Sequence, residues 1–353
     1  MGRRHHFVPR FYLAAFSSVP RRIYVLNLDR RQLITDASLR DQCYAHRLYG
    51  ADDTVEDALA EFEGVSAKVF RTMRDRRIIP GGGTPERDVL MLFIGLQLAR
   101  TTAAQANAVE ASRLMADVAF DGSPPDGYDL SPLDAIKLTL SVGPMMAATI
   151  RDLSVTLIRS CPGTSFATSD NPVFRYNSYC EGITDFGVTG TQSQGLQIFL
   201  PVSPQLLLYL FDAAVYKLAR SSPGFVTATR QDMESLNRLQ LVSARENVYF
   251  GTEPSGSWLL ESASAVQPIR QANKPRITRA VDIENERSEL LHQYTRMPQL
   301  QLRLSFVSMR PNALRVPLFD RIRKTRAPYK AQHREADASG TSRSFVVKSR
   351  HSA

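Results

Sequence analysis

Two adjacent histidines, His5 and His6, stand near the start of the chain. A neutral imidazole can bind a metal or take a proton near pH 7. Glu56 and Glu63 are seven residues apart, which on a helix puts them on one face, roughly 10 Å apart along the axis. Gln97 and Arg100, three apart, share the face of a second helix, and a guanidinium offers a planar fork to a phosphate or a carboxylate. The fourth group is Ser169-Asp170-Asn171-Pro172, where a hydroxyl, a carboxylate and an amide crowd the end of a strand. Brought together, His5, His6, Glu56, Glu63 and Asp170 suit metal-assisted hydrolysis. His6, Glu63 and Asp170 would be the ligands of a magnesium or manganese ion that activates water. Gln97, Arg100, Ser169 and Asn171 would then hold the substrate.

Each group also has a plain structural use. One histidine can pack while the other is exposed. Asp and Asn bond to local backbone, and Asn-Pro favours entry into a turn. A guanidinium on a buried helix needs a carboxylate, because leaving it unpaired costs several kcal/mol; Glu56, Glu63 and Asp170 are the partners in question. Familiar catalytic patterns are missing: no HExxH, no GxSxG around Ser169, no phosphate loop, no GxGxxG and no zinc spacing.

The elements that must position these groups follow from the pattern of apolar residues. Ile23 to Leu28 and Gln32 to Thr35, joined by Asp29-Arg30-Arg31, predict a β-hairpin. Val55 to Arg76 carries Val55, Ala58, Leu59, Phe62, Val65, Val69, Phe70 and Met73 at helical spacing. After Pro80-Gly81-Gly82-Gly83, Thr84 and Pro85 open a helix apolar nearly all round, hence buried and central. Ser131-Pro132 opens another, which Pro144 should kink or divide. Strands are expected at Val155 to Arg159, Gly163 to Ser169, Gln197 to Leu200, Leu206 to Phe211 and Val248 to Phe250, with a helix from Gln231 to Arg245. Leu300 to Phe306 alternates as an edge or closing strand would. The fold class that results is α+β: an antiparallel sheet, built from the hairpin, the strand before Ser169 and Val248 to Phe250, packed against a buried central helix and further helices.

The chain has 353 residues, 43% of them hydrophobic, which allows a sizeable core. Residues 1–320 are expected to form one α+β domain. From Arg321 onward there are nine Lys/Arg and two Asp/Glu, net +7; the remainder carries 35 basic and 33 acidic residues, net +2. Residues 321–353 therefore read as a basic, disordered tail, able to engage nucleic acid through its phosphates. No apolar run approaches a membrane span. Three cysteines, odd in number and far apart, argue against a disulfide framework and for a cytoplasmic protein.

The local patterns coincide in a known family. HHFVPRFYLAAF at 5–16, the glutamates of VEDALAEFE, the apolar helix with Gln97 and Arg100, FATSDNPVF at 166–174, FLPVSPQLLLYLF at 199–211 and Asn237 before VYFG at 248–251 together resemble the bacterial and phage domain-of-unknown-function family 4238. The resemblance covers residues 5 to 251. It departs at Ala14, where the family usually has arginine, so no role is carried over to that position. The resemblance implies a shared domain and no particular reaction.

Two functions compete. One is a metal-assisted nuclease with the residues in the roles given above and the basic tail recruiting nucleic acid. The other is a non-catalytic binding or regulatory module, with phage defence as one setting, whose polar residues form an internal salt-bridge network. A wet cleft lined by these side chains would favour the first; a dry, mutually satisfied cluster would favour the second.

Overall fold

The computed structural model describes residues 3–183, 186–219, 226–282, 289–322, 324–329 and 345–348. In chain order the elements are β1 (Arg4–His6), α1 (Arg10–Leu13), β2 (Arg22–Asn27), β3 (Gln32–Ser38), β4 (Tyr44–His46), α2 (Thr54–Arg76), α3 (Pro85–Ala99), α4 (Thr102–Ala119), α5 (Pro132–Ala148), β5 (Ser154–Arg159), β6 (Thr168–Ser169), β7 (Phe174–Tyr176), β8 (Gln197–Ser203), β9 (Leu206–Phe211), β10 (Tyr216–Leu218), β11 (Val226–Thr227), α6 (Arg230–Ser243), β12 (Asn247–Phe250), α7 (Glu253–Ala272), β13 (Pro275–Asp282), β14 (Glu289–Thr295), β15 (Val307–Met309), α8 (Pro311–Leu314) and β16 (Phe345–Lys348).

The architecture is α+β, and its middle is a five-stranded sheet in the order β11-β5-β9-β8-β7. Only the β11–β5 pair is parallel within it. Every residue of β8 and β9 is buried, so these strands read as continuous apolar runs rather than alternating ones. Leu207, Tyr209 and Phe211 face one core, shared with α6 and α7. Leu206, Leu208 and Leu210 face the other, shared with the N-terminal segment, α2, α3 and α5. Pro201 is accommodated inside β8 at a register shift before Ser203, which is why the PVSP stretch does not split the sheet there.

A second sheet has the order β3-β2-β12-β6. It is the sheet expected from the hairpin, Val248 to Phe250 and the strand before Ser169. That last strand, however, is short: only Thr168 and Ser169 join the ladder, opposite Tyr249 and Val248. Residues 163–167 are held instead by α6, whose Asn237 accepts from the Ala167 N–H at 2.9 Å and donates to the Ser165 carbonyl at 2.9 Å. The side chain stands in for a missing neighbouring strand.

Thr84 caps α3 as expected, accepting from the Arg87 N–H at 3.2 Å. α3 is the buried central helix. It crosses α5 where Gly95 faces Gly143: a Cβ on Gly95 would stand 2.4 Å from the Gly143 carbonyl oxygen. α5 runs unbroken through Pro144. α4 and α7 are helices that the apolar pattern does not announce. Leu300 to Phe306 forms no ladder, although Leu302, Leu304 and Phe306 are buried in alternation.

The C-terminal stretch departs from the expected tail at its start. Arg326 is 2% exposed; its Nε and Nη2 reach the Asp152 carboxylate at 2.7 and 2.9 Å, and it also donates to the carbonyls of Ser193 and Thr149. Arg321 lies over the Tyr179 ring, 4.4 Å from its centroid, and donates to the Tyr179 carbonyl at 2.6 Å. Farther on, β16 pairs antiparallel with β13, again unlike a free tail; of the expected tail, residue 323 and residues 330–344 and 349–353 lie outside the described residues. Among the described residues no single helix is long and apolar enough to cross a membrane.

Candidate functional site

β1 is pinned against β4, with His5 opposite Ala45. This lays both histidines beside the start of α2. His5 is fully buried. Its Nδ1 accepts from the Tyr49 N–H at 3.2 Å, which leaves the ring proton on Nε2, and Nε2 donates to Asp53 Oδ1 at 2.8 Å. Both nitrogens are thus engaged, and the bond from His5 holds the Asp53 carboxyl below the usual range. His6 is half-buried. Its Nε2 donates to the Arg40 carbonyl at 3.3 Å, and burial lowers its pKa against that bond.

Arg100 is the centre of the arrangement. It caps the end of α3 rather than sitting within it, at the break before Thr101 starts α4. Only 2% of it is exposed. Its Nη1 meets Glu63 Oε1 at 2.9 Å and its Nε donates to Gln97 Oε1 at 3.1 Å. The Gln97 amide then donates to the Phe7 carbonyl at 2.9 Å. A chain of bonds therefore runs from α2 through α3 to the residue after His6. Of the three carboxylates named as partners for Arg100, Glu63 is the one that fills the role.

Burial raises the Glu63 pKa, with Arg100 pulling the other way. Burial also raises Glu56, opposed by His5 and by a hydrogen bond from the His6 backbone N–H. Tyr49 stacks on His5 with ring centroids 5.5 Å apart. Its hydroxyl is buried without a hydrogen-bond partner, within the fields of Arg100, Glu56 and Glu63. Sequence reasoning passed over Tyr49 and Asp53. An Asp just before a helix reads as its cap, but Asp53 adopts a left-handed φ of 53° and turns to His5 instead.

The bend at residues 169–172 does not join this cluster. Asp170 accepts from the backbone N–H groups of Arg245, Glu246 and Asn247 at 2.8, 2.8 and 3.0 Å. Burial pushes its pKa up to about 6 in spite of those three bonds. Ser169 donates to Gln240 at 3.0 Å. The Asn171 amide donates to Ser243, and its Oδ1 accepts from the Thr101 hydroxyl at 3.1 Å. The proposed ligand set of His6, Glu63 and Asp170 is therefore not assembled: the aspartate is committed to the loop that enters β12. Among the described residues no three His, Cys, Asp or Glu side chains stand together as metal ligands. The bend's polar groups are used as turn chemistry uses them, with α6 supplying the partners.

Open space lies elsewhere. A cavity of about 730 Å³ is walled by Phe16, Ser165, Arg230, Met233, Asn237 and Trp258, among others. It adjoins one of about 760 Å³, with Ala15, Gly163, Thr164 and Gln205 on both walls. A third, of about 110 Å³, touches Asn171. None of these three is lined by His5, His6, Glu56, Glu63, Gln97 or Arg100.

Comparison with known proteins adds the family. No curated protein and no solved structure matches the chain. The sequence profile of DUF4238, described as a protein of unknown function, matches residues 4–254. That span runs from β1 to the first turn of α7 and takes in the Arg100 cluster, the bend at Asp170 and both large sheets. The chain belongs to the DUF4238 family.

Proposed function

We propose that this chain is a non-catalytic binding or regulatory module, in which the cluster around Arg100 is an internal brace and the 730 Å³ cavity receives a small ligand. The observation that carries the reading is the internal engagement of Arg100: its Nη1 and Nε bond to Glu63 and Gln97, and Gln97 holds the Phe7 carbonyl. A phosphate clamp needs its guanidinium turned to open space, and Arg100 lines none of the three cavities. The cavity, by contrast, combines Trp258, Phe16 and Met233 with a few polar groups, the usual make-up of a ligand site. The direct test is Trp258 fluorescence, Trp258 being the single tryptophan. Screening small molecules should find ligands that change its emission in wild type and lose affinity in Met233→Phe or Asn237→Ala. A screen in which every responding ligand binds both variants as well as wild type would count against the cavity.

One observation supports the nuclease reading. Glu56 and Glu63 are raised, His6 is lowered, and an unpartnered phenol lies among them, a pattern that catalytic sites share. In that reading His6, Glu56 and Glu63 would act as bases toward water, a magnesium or manganese ion would supply Lewis acidity, and the basic C-terminal stretch would recruit the nucleic acid. Incubating the purified chain with RNA and DNA and either ion decides between the two. Cleavage that disappears in His6→Ala establishes the nuclease; intact substrates support the module.

A further inference from the structure

The cavity of about 760 Å³ lies between the end of α2 and the turn that follows β5, and three arginines line it: Arg74, Arg77 and Arg159. Asp75 is the one carboxylate among its lining residues. Basic residues at the end of a helix have an ordinary explanation, since they complement the negative end of its dipole. That accounts for Arg74 and Arg77. It does not account for Arg159, which comes from the last position of β5 and donates to the Thr227 hydroxyl at 3.2 Å. Nor does it account for Arg74 Nη1, which is buried with no hydrogen-bond partner. A buried donor without an acceptor is costly, more so when charged. Burial holds the Arg74 pKa below its ordinary value, with Asp75 pulling the other way and Arg71 adding to the lowering. Ser160 and Thr164 add hydroxyls to the same wall.

We propose that this arginine-lined cavity binds the phosphate end of a small phosphorylated ligand. A phosphate monoester carries close to two negative charges and three acceptor oxygens, which suit the guanidinium forks of Arg74 and Arg159 on this wall. The space exceeds what a phosphate alone fills. It opens beside the Trp258 cavity along Gly163 and Thr164, so the remainder of the ligand has an aromatic-lined place to lie. The phosphate end stands on the arginines alone; only the second half rests on the function proposed above.

Calorimetry and thermal melting of the full chain at matched ionic strength test it, with inorganic phosphate, adenosine 5′-monophosphate and adenosine as probes. Phosphate and the monophosphate should bind and raise the melting temperature, and adenosine should bind at least tenfold more weakly than the monophosphate. In Arg74→Gln and in Arg159→Gln, affinity for both phosphate compounds should fall at least tenfold. Arg159 is exposed, so its variant folds even if loss of Arg74 disturbs α2. Phosphate compounds that do no more than sodium chloride, or that bind both variants as tightly as wild type, overturn the proposal. Phosphate binding with no change in Trp258 emission on adding the monophosphate would uphold the arginine site and remove the neighbouring cavity as its continuation.

Discussion

Arg100 is worth most to the fold because of what its loss leaves behind. Without the guanidinium, Glu63 remains in a site where burial already disfavours its charge, and Gln97 loses the donor that orients it. Arg100→Ala should therefore destabilise the protein by about 3–5 kcal/mol, as breaking a buried ion pair does. Urea unfolding measures this, and a loss below about 1 kcal/mol would show that the cluster is no brace. Asp170 leads to a different expectation. Its folded-state pKa of about 6 lies above the ordinary value of 3.8, so the folded protein holds that proton more tightly than the unfolded chain. The stability this contributes is fully present below about pH 4 and is lost as pH rises through about 6. Between about pH 4 and pH 7.5, wild type should lose up to about 3 kcal/mol relative to Asp170→Asn. A second effect does not depend on pH: the amide nitrogen that replaces one carboxylate oxygen cannot accept from the loop N–H groups, which lowers the variant's stability by a constant offset. A stability gap between the two that stays flat over that range would contradict the assignment.

Elements were legible in the sequence where an apolar stripe had one reading. α2, α3 and α6 carry such stripes, and because helices fix which residues share a face, the meeting of Gln97 with Arg100 could be read from their spacing. α4 could not: its buried residues are Ala111 and Ala116, too small to stand out. α7 carries Pro254, Gly256 and Pro268, which read as breaks. Leu302, Leu304 and Phe306 alternate in burial without pairing, because alternation reports one buried side and not a neighbouring strand. The positions of Asp53, Tyr49 and Asp170 depend on turns and long-range pairing, and spacing along the chain does not encode those. The α3–α5 crossing makes a sharper test of packing. Alanine is favoured over glycine within a helix by roughly 1 kcal/mol. At Gly95, though, the new Cβ would stand 2.4 Å from the Gly143 carbonyl oxygen and 2.7 Å from the Ala147 nitrogen, both backbone atoms that cannot turn aside. Gly95→Ala should lower stability by about 1–3 kcal/mol in chemical denaturation. Gly143→Ala, whose nearest neighbour is the movable Leu96 Cδ2 at 3.0 Å, should cost less. The reverse order would mean that the two helices slide apart freely.

Across the whole molecule, the excess of positive charge and the packing of the C-terminal stretch are one question. Nine basic residues from Arg321 onward suggest a free polycation, but Arg321 and Arg326 are fastened to the body. The strap they anchor also pairs by its backbone: the Gln194 N–H donates to the Lys324 carbonyl at 2.8 Å and the Arg326 N–H to the Gln192 carbonyl at 2.9 Å. It closes over Thr149 and Asp152, just past α5. A chain ending at Asp320 loses the Arg326–Asp152 pair and the backbone bonds of the strap, whereas a chain ending at Tyr329 keeps them. The shorter chain should be less stable than the longer by about 1–3 kcal/mol, and Arg326→Ala in the full chain should reproduce most of that loss. Equal melting of the two truncated chains would make the strap a passive passenger. If the loss is found, charge spent on Asp152 is unavailable to a polyanion. Any salt dependence of nucleic-acid binding should then keep its slope in Arg326→Ala and flatten when Lys330, Arg334 and Arg343 are neutralised, since each phosphate contact removed lowers the slope by about one.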